Sequence, residues 1–337
     1  MMLARNSAAI HLCRPVENGS MRVAVIIPCF NVAPYVERAI RSVWGQTHSD
    51  IDLIIVDDGS TDDTCAVVER LMHTADQPVP IRLIKGGHRG ASAARNVGVA
   101  ATDAQWIQFL DADDELLPGK IKEQLGSTAA HGGAAVIVGG YRNRWEDGAM
   151  DEVLPGDGPW MALIHGKAGT TSANLWERSA LLQAGGWDER LASSQDHELL
   201  FRILQQKAVC VIDRKVRAII LKRARSSISK VDPVGNWERY ITLRAAIRDH
   251  LRTTRPVGYE EAIKEADRHI FGAIRIIARS DRDKALELRG RSLPQGYAPT
   301  PGAGISRIYA AVHGLFGFQV AEAIAGALGI LHRSNNR

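Results

Sequence analysis

Apolar positions in the first 110 residues gather into four short runs, 22–30 (RVAVIIPCF), 52–56 (DLIIV), 81–85 and 105–110, each closed by turn residues. Short runs that are apolar without alternation predict strands buried on both faces, as in a parallel sheet. Between them the spacing becomes helical. Val36, Ile40, Val43 and Trp44 share one face over 33–46, and helices follow over 62–72 and 91–101. Strands alternating with helices predict an α/β fold with a Rossmann-like, mostly parallel central sheet and helices on both faces. Ligands of such sheets sit beyond the carboxyl ends of the strands, so the residues after Ile27, Val56 and Leu110 are expected to meet in one crevice.

From 139 to 167 the text is rich in Gly, Pro and Trp and predicts an irregular wall across that crevice. Helices are expected over 179–184 and 195–206, a strand over 208–212, and helices beyond 232, interrupted by a loop over 289–304. The chain therefore divides into a flexible segment (1–20), an α/β domain (21–230, with halves 21–115 and 116–230) and a helical C-terminal extension (231–337). The run 305–331 is apolar, but Arg307, His313, Gln319, Glu322 and several glycines interrupt it. Two amphipathic helices are expected there, packing on the domain, forming a homodimer or lying as a peripheral membrane contact, rather than spanning a bilayer.

Composition narrows the class. With 45% hydrophobic and 24% charged residues over 337 positions, the chain has the apolar mass for a sizeable core, which excludes a disordered or collagen-like protein. A net charge of +4, from 42 basic and 38 acidic residues, is too balanced to signal a nucleic-acid partner. Cys13, Cys29, Cys65 and Cys210 have neither C-x-x-C nor zinc-finger spacing and read as reduced thiols of a cytoplasmic protein. The first twenty residues lack the apolar stretch of a secretory signal.

The sharpest chemical signal is Phe109-Leu110-Asp111-Ala112-Asp113-Asp114, at the end of a buried strand. In extended backbone Asp111 and Asp113 share a face, and two carboxylates with open positions suit Mg²⁺ or Mn²⁺ shared with phosphate oxygens. The bland alternative is a loop whose acids cap the next helix. Asp57-Asp58-Gly59-Ser60 closes the second strand. Helix capping accounts for Ser60, Thr61 and Asp62 but leaves the paired acids unexplained. Gly86 to Asn96 (GGHRGASAARN) lacks the spacing of a dinucleotide fingerprint, which disfavours an NAD enzyme. It leaves a glycine loop before a helix carrying Arg95, either a phosphate contact or a surface arginine.

In order and position these pieces resemble glycosyltransferase family 2, the inverting, metal-dependent enzymes of the GT-A fold. The resemblance rests on VIIPCFN (25–31), VDDGSTD (56–62), GASAARNVG (90–98) and FLDADDELLP (109–118), and it covers about 22–229. It implies a nucleotide-sugar half (21–115) and an acceptor half (116–230). Pro28, Phe30 and Asn31 would lie against the nucleotide and Asp58 on the base. Asp111 and Asp113 would flank ribose, metal and diphosphate, with Asp113 the direct ligand of Mn²⁺ or Mg²⁺. GGWDE (185–189) and SQDHEL (194–199) match the acceptor half, with Gln195 where the family usually has Glu. Asp196 becomes the candidate general base, opposed by a reading in which Ser194 caps a helix and Asp196 merely favours its dipole. Trp187 and Asp188 are the candidate acceptor contacts. Where related sequences often carry a histidine that helps hold metal or diphosphate, this chain has Arg225, within a basic stretch from Arg214 to Lys230.

The resemblance implies transfer of a sugar from a nucleoside-diphosphate sugar, a UDP-sugar by preference, to a glycan or lipid-linked acceptor in envelope or exopolysaccharide synthesis. The setting implied is cytoplasmic, including the inner face of the membrane. A nucleotidyltransferase would ordinarily place a glycine-rich phosphate loop after the first strand, where this chain has PCFN. A non-catalytic sugar-nucleotide or glycan-binding protein on the same fold is separated from an enzyme by turnover alone.

Overall fold

β1 (Val23–Cys29) lies between parallel neighbours β2 (Ile51–Asp57) and β4 (Trp106–Phe109), and β3 (Ile81–Lys85) adds parallel to β2. These are the four expected strands, in a computed structural model that describes residues 21–75, 77–128, 133–223, 232–254, 257–302 and 305–327. The near-continuous burial of β1, β2 and β4 follows from the helices packed on the sheet, α1 (Val36–Trp44), α2 (Thr64–Met72) and α3 (Ala91–Ala100), whereas β3 at the edge is only half-buried. Gly98 explains one glycine of the 90–98 motif. A Cβ there would stand 2.4 Å from Ile26 Cγ2, so only glycine lets α3 lie this close to β1. Pro28 pairs with Val56 and Cys29 with Asp57, which brings the ends of β1 and β2 level and sets Asp58 beside Phe30 and Asn31.

The second half departs from expectation. Between β5 (Glu115–Leu116), α4 (Lys120–Thr128) and α5 (Pro159–His165), the supposed irregular wall contains the twelve-residue strand β6 (Ala134–Trp145) and its antiparallel partner β7 (Met150–Val153). The Gly139-Gly140 pair that reads as a turn is instead a close approach. A Cβ on Gly139 would meet the Ala173 carbonyl oxygen at 2.5 Å. β8 (Leu175–Glu177) is antiparallel to both β4 and β6, and α6 (Arg178–Gln183) and α7 (Gln195–Gln205) follow. β9 (Val209–Lys222) is much longer than expected, runs parallel to β6 and pairs antiparallel with β5. The sheet order is β3-β2-β1-β4-β8-β6-β9-β5 with β7 beside β6, parallel in the first half and mixed in the second.

The long β9 also absorbs part of the expected basic patch. Arg217 is buried, paired with Asp213 at 2.9 Å and Glu123 at 2.5 Å. Arg225 and Lys230 lie outside the described residues, as does Cys13; Cys29, Cys65 and Cys210 are free thiols.

The extension consists of α8 (Pro233–Thr254), α9 (Glu260–Ile277), α10 (Arg282–Ser292) and α11 (Arg307–Ala327). Ile270, Phe271 and Ile274 of α9 meet Tyr309, Phe318 and Ala321 of α11 in a core of their own. By length and composition α11 is apolar enough to cross a membrane, but it breaks at Gly317 (φ 79°) into the two pieces expected. One face packs on α9, while Ile308, Leu315, Phe316 and Val320 are exposed. Residues 328–331 of the apolar run lie outside the described residues.

Candidate active site

The turn after β2 is built on backbone amides. Asp57 Oδ2 accepts from the amides of Gly59 and Ser60, at 3.2 and 3.1 Å. Asp58, 6% exposed, accepts from Arg89 N (2.8 Å) and Gly90 N (2.6 Å), and thereby holds the glycine loop against the end of β2. Asn31 (φ 52°) accepts from Thr61 N at 2.8 Å and from Asp62 N at 3.3 Å, so its carboxamide pins the other side of the same turn. Above this frame Phe30 is 42% exposed and its ring centroid lies 4.3 Å from that of His88. An exposed aromatic pair over a ring of anchored polar groups is a stacking platform for a planar base.

The turn after β4 is built differently. Asp111 Oδ1 accepts from Arg95 Nη2 at 2.6 Å, and Asp113 Oδ2 pairs with Arg223 Nη2 at 2.8 Å. Arg223 also lies over the Tyr35 ring, 5.1 Å from its centroid, and Arg38 donates to the Asp113 carbonyl at 3.1 Å. Burial first, then the Asp111 charge, push the Asp113 carboxyl above its usual range, with Arg223 pulling the other way. Asp114 points inward. Its oxygens accept from Ser172 Oγ (2.6 Å) and Leu221 N (3.0 Å), and burial followed by Asp111 and Asp113 drives its pKa well up. Ser172 Oγ in turn accepts from Asp111 N at 3.1 Å, so one hydroxyl fixes the whole acidic turn.

Arg95 joins this turn to the opposite wall. Its side chain is buried on the Trp187 ring, 4.6 Å from the centroid, and while Nη2 holds Asp111, Nη1 donates to Gln195 Oε1 at 3.3 Å in the first turn of α7. Asn96 makes a second crossing. Its carboxamide accepts from Trp187 N (2.9 Å) and donates to Trp187 O (2.9 Å) and Glu189 (3.0 Å). Asp196 is therefore set next to Gln195 on a helix tied to the acidic turn. Tyr141 feels its charge: burial, then Asp196, push the phenol up to about 12. His197 is shifted down by burial against the pull of Asp196.

Ser194 does not cap α7: it sits at φ 60° and makes no side-chain cap hydrogen bond, while Asp196 lies in the first turn of the helix. A mainly apolar pocket of about 230 Å³, lined by Leu191, Ser193, Phe201, Arg239 and Leu243 among others, opens beside this helix start.

Residues 24–174 match the family model described as glycosyl transferase family 2. Over these residues the chain carries a domain of the glycosyltransferase family 2 type. An uncharacterized glycosyltransferase of Nostoc sp. is 45% identical over 102 residues, 30% of this chain and 31% of that protein. The GalNAc(5)-diNAcBac-PP-undecaprenol beta-1,3-glucosyltransferase of Campylobacter jejuni is 35% identical over 100 residues, 30% of this chain and 32% of its own. The chain thus spans about a third of the length of these relatives. The crystal structure of S. aureus TarS 1-349 in complex with UDP-GlcNAc matches the fold with a TM-score of 0.64, at 15% identity, over 93% of both chains.

Within this family 2 domain, Phe30, Asn31, Asp58, Arg95, Asp111 and Asp113 line the ends of β1, β2 and β4 or reach them, and Pro28 occupies the end of β1 itself. Asp58, expected on the base, spends both oxygens on the Arg89 and Gly90 amides, and Trp187 does not meet its expected role either. Trp187 is 2% exposed, packs edge-on against Phe109 and Trp176 and carries Arg95 on its ring, so it offers no face to a sugar and serves as the seat of Arg95. Asp188 clamps its own loop through Arg190, with bonds of 2.9 to 3.0 Å. Sequence reasoning missed His88, Ser172, Tyr141 and the role of Asp114. Each is a single residue outside a motif or unassigned within one, recognisable only from its partner across the fold.

Proposed function

We propose that the chain is an inverting glycosyltransferase that moves one sugar from a UDP-sugar to a glycan or lipid-linked acceptor in envelope or exopolysaccharide synthesis. The observation that carries this is the Arg95 fork, which spans from Asp111 on the donor side to Gln195, next to Asp196, on the acceptor side. The presence of UDP-GlcNAc in TarS, and an undecaprenol-linked acceptor in the Campylobacter name, support the donor and acceptor classes. A lipid-linked acceptor would put the protein at the cytoplasmic face of a membrane, and the exposed Ile308, Leu315 and Phe316 of α11 suit contact there.

In this reading the base stacks on Phe30 and His88, with Asp58 and Asn31 fixing the turn beneath. Asp196 removes the proton of the acceptor hydroxyl as its oxygen attacks the anomeric carbon from the face opposite the diphosphate. The bond from that carbon to the diphosphate oxygen breaks, the new glycosidic bond forms with inversion, and the proton passes from Asp196 to solvent. Arg223 offers a planar fork to the departing diphosphate.

The acidic turn suits a divalent ion. Asp111 and Asp113 are two hard oxygen donors that each already hold a cation, and the charge opposing ionisation of Asp113 is one a dication relieves. Mn²⁺ or Mg²⁺ held by Asp113 with Asp111 would supply neutralisation of the leaving diphosphate.

The test is release of UDP from a panel of UDP-sugars, with and without lipid-linked acceptors. The wild type should turn over at least one donor, and Asp196→Asn should lower the rate by about 10²- to 10⁴-fold while leaving UDP affinity unchanged. UDP binding with no turnover under any acceptor would instead favour a binding protein, and an unchanged rate in Asp196→Asn would remove the base assignment.

A further inference from the structure

His165 is the last residue of α5, in the catalytic domain, whereas Glu265 and His269 stand at i and i+4 on one face of α9 in the extension. Their ligand atoms all lie within 4.8 Å of one another. Glu265 Oε1 is 3.4 Å from His165 Nε2 and 3.4 Å from His269 Nε2. That separation is long for a hydrogen bond. It matches the edge of about 3.4 Å between two donors that each lie about 2.0–2.1 Å from a tetrahedral zinc ion.

The surrounding groups suit such a site. Tyr240 Oη lies 2.9 Å from His269 Nδ1, so it can accept that ring's N–H and leave Nε2 as the free lone pair. Arg268 donates to the other carboxylate oxygen, Oε2, at 2.5 Å, which fixes Oε1 toward the two rings. The cations nearby are engaged. Arg268 pairs with Glu261 and Glu265, and Arg244 lies over the Tyr240 ring and donates to the Leu163 and Ile164 carbonyls. His165 and His269 are about 30% exposed, which leaves an approach for the ion and a fourth position for water.

We propose that His165, Glu265 and His269 bind one divalent transition-metal ion, Zn²⁺ by ligand chemistry, which fastens the helical extension to the catalytic domain. Two imidazoles and one carboxylate select zinc over the Mg²⁺ or Mn²⁺ that suits the all-oxygen pair Asp111 and Asp113. The site lies outside the donor crevice, so its failure would leave the transfer reading untouched.

The experiment is titration of the untagged, metal-free full chain with Co²⁺, reading the visible absorption of four-coordinate cobalt, followed by Zn²⁺ displacement and thermal melts. Wild type and Asp113→Ala should both take up one equivalent with that band. Saturating Zn²⁺ should raise their Tm by about 5 °C. His165→Gln and His269→Gln should lose both band and shift while melting cooperatively without metal, and Glu265→Gln replaces either variant that fails to fold. The proposal is overturned if wild type shows no band, if the band survives in the histidine variants, or if it disappears only in Asp113→Ala.

Discussion

At the end of β2 the carboxylates of Asp57 and Asp58 face backbone amides, whereas at the end of β4 those of Asp111 and Asp113 face arginines. Both turns read alike in the sequence, as paired acids closing an apolar strand. Main-chain amides of that turn and of the glycine loop cannot exchange for a ligand, so the first pair is part of the architecture. Guanidinium groups on separate elements can exchange for another cation, so the proposed function places metal and diphosphate at the second pair. The difference lies in what the acid accepts from, and that is a property of distant residues.

The largest effect is expected at Arg95. Arg95→Ala removes the link between the acidic turn and α7, and misplacing the base should lower the transfer rate by about 10²-fold, read as kcat/KM with the best UDP-sugar. Arg95→Lys should do nearly as badly, because an ammonium cannot fork between Asp111 and Gln195. If Arg95→Lys keeps full activity, the bridge is not what aligns the two walls.

The stability contrast comes next. Asp58→Ala leaves the amides of Arg89 and Gly90 without their acceptor, and urea unfolding should show a loss of about 1–3 kcal/mol. Asp113→Asn should leave metal-free stability unchanged or raise it, because burial and the Asp111 charge oppose the ionised form it replaces. Equal losses in the two variants would erase the distinction between the turns.

Smaller effects sharpen it further. Arg223→Gln removes the cation that competes at Asp113, so Mn²⁺ alone should bind a few-fold tighter, about 0.5–1 kcal/mol, while UDP with Mn²⁺ binds more weakly. Asp188 holds an arginine as the second turn does, but at the surface. Its hydrogen bond with Arg190 leads the causes that lower its pKa from 3.8 to about 2. A depressed acid stabilises the fold above its unfolded pKa, so that contribution is present above pH 4 and fades as the pH falls toward 2. Acid titration of stability in Arg190→Gln should show a slightly shallower decline there than the wild type.

The first half of the domain was legible because buried parallel strands are contiguous apolar runs, and β1 to β4 and α1 to α3 stand close to where that pattern puts them. The second half was not. β8 is three residues long and pairs with strands far away in sequence, and Gly139-Gly140 carries a turn signal while serving a close backbone approach. The acids were legible at the strand ends. Their partners Ser172 and Arg223 were not, since each meets its acid across 58 residues or more. Trp187 misled because a tryptophan after a glycine pair has the same text whether it faces a sugar or seats an arginine.

The most direct test is calorimetry of UDP with and without Mn²⁺, on the wild type and on Asp113→Ala. Binding that requires Mn²⁺ in the wild type and is lost in Asp113→Ala is the predicted result. UDP that fails to bind, or binds equally well without the ion and in the variant, would contradict the assignment of the β4 turn as the site of metal and diphosphate.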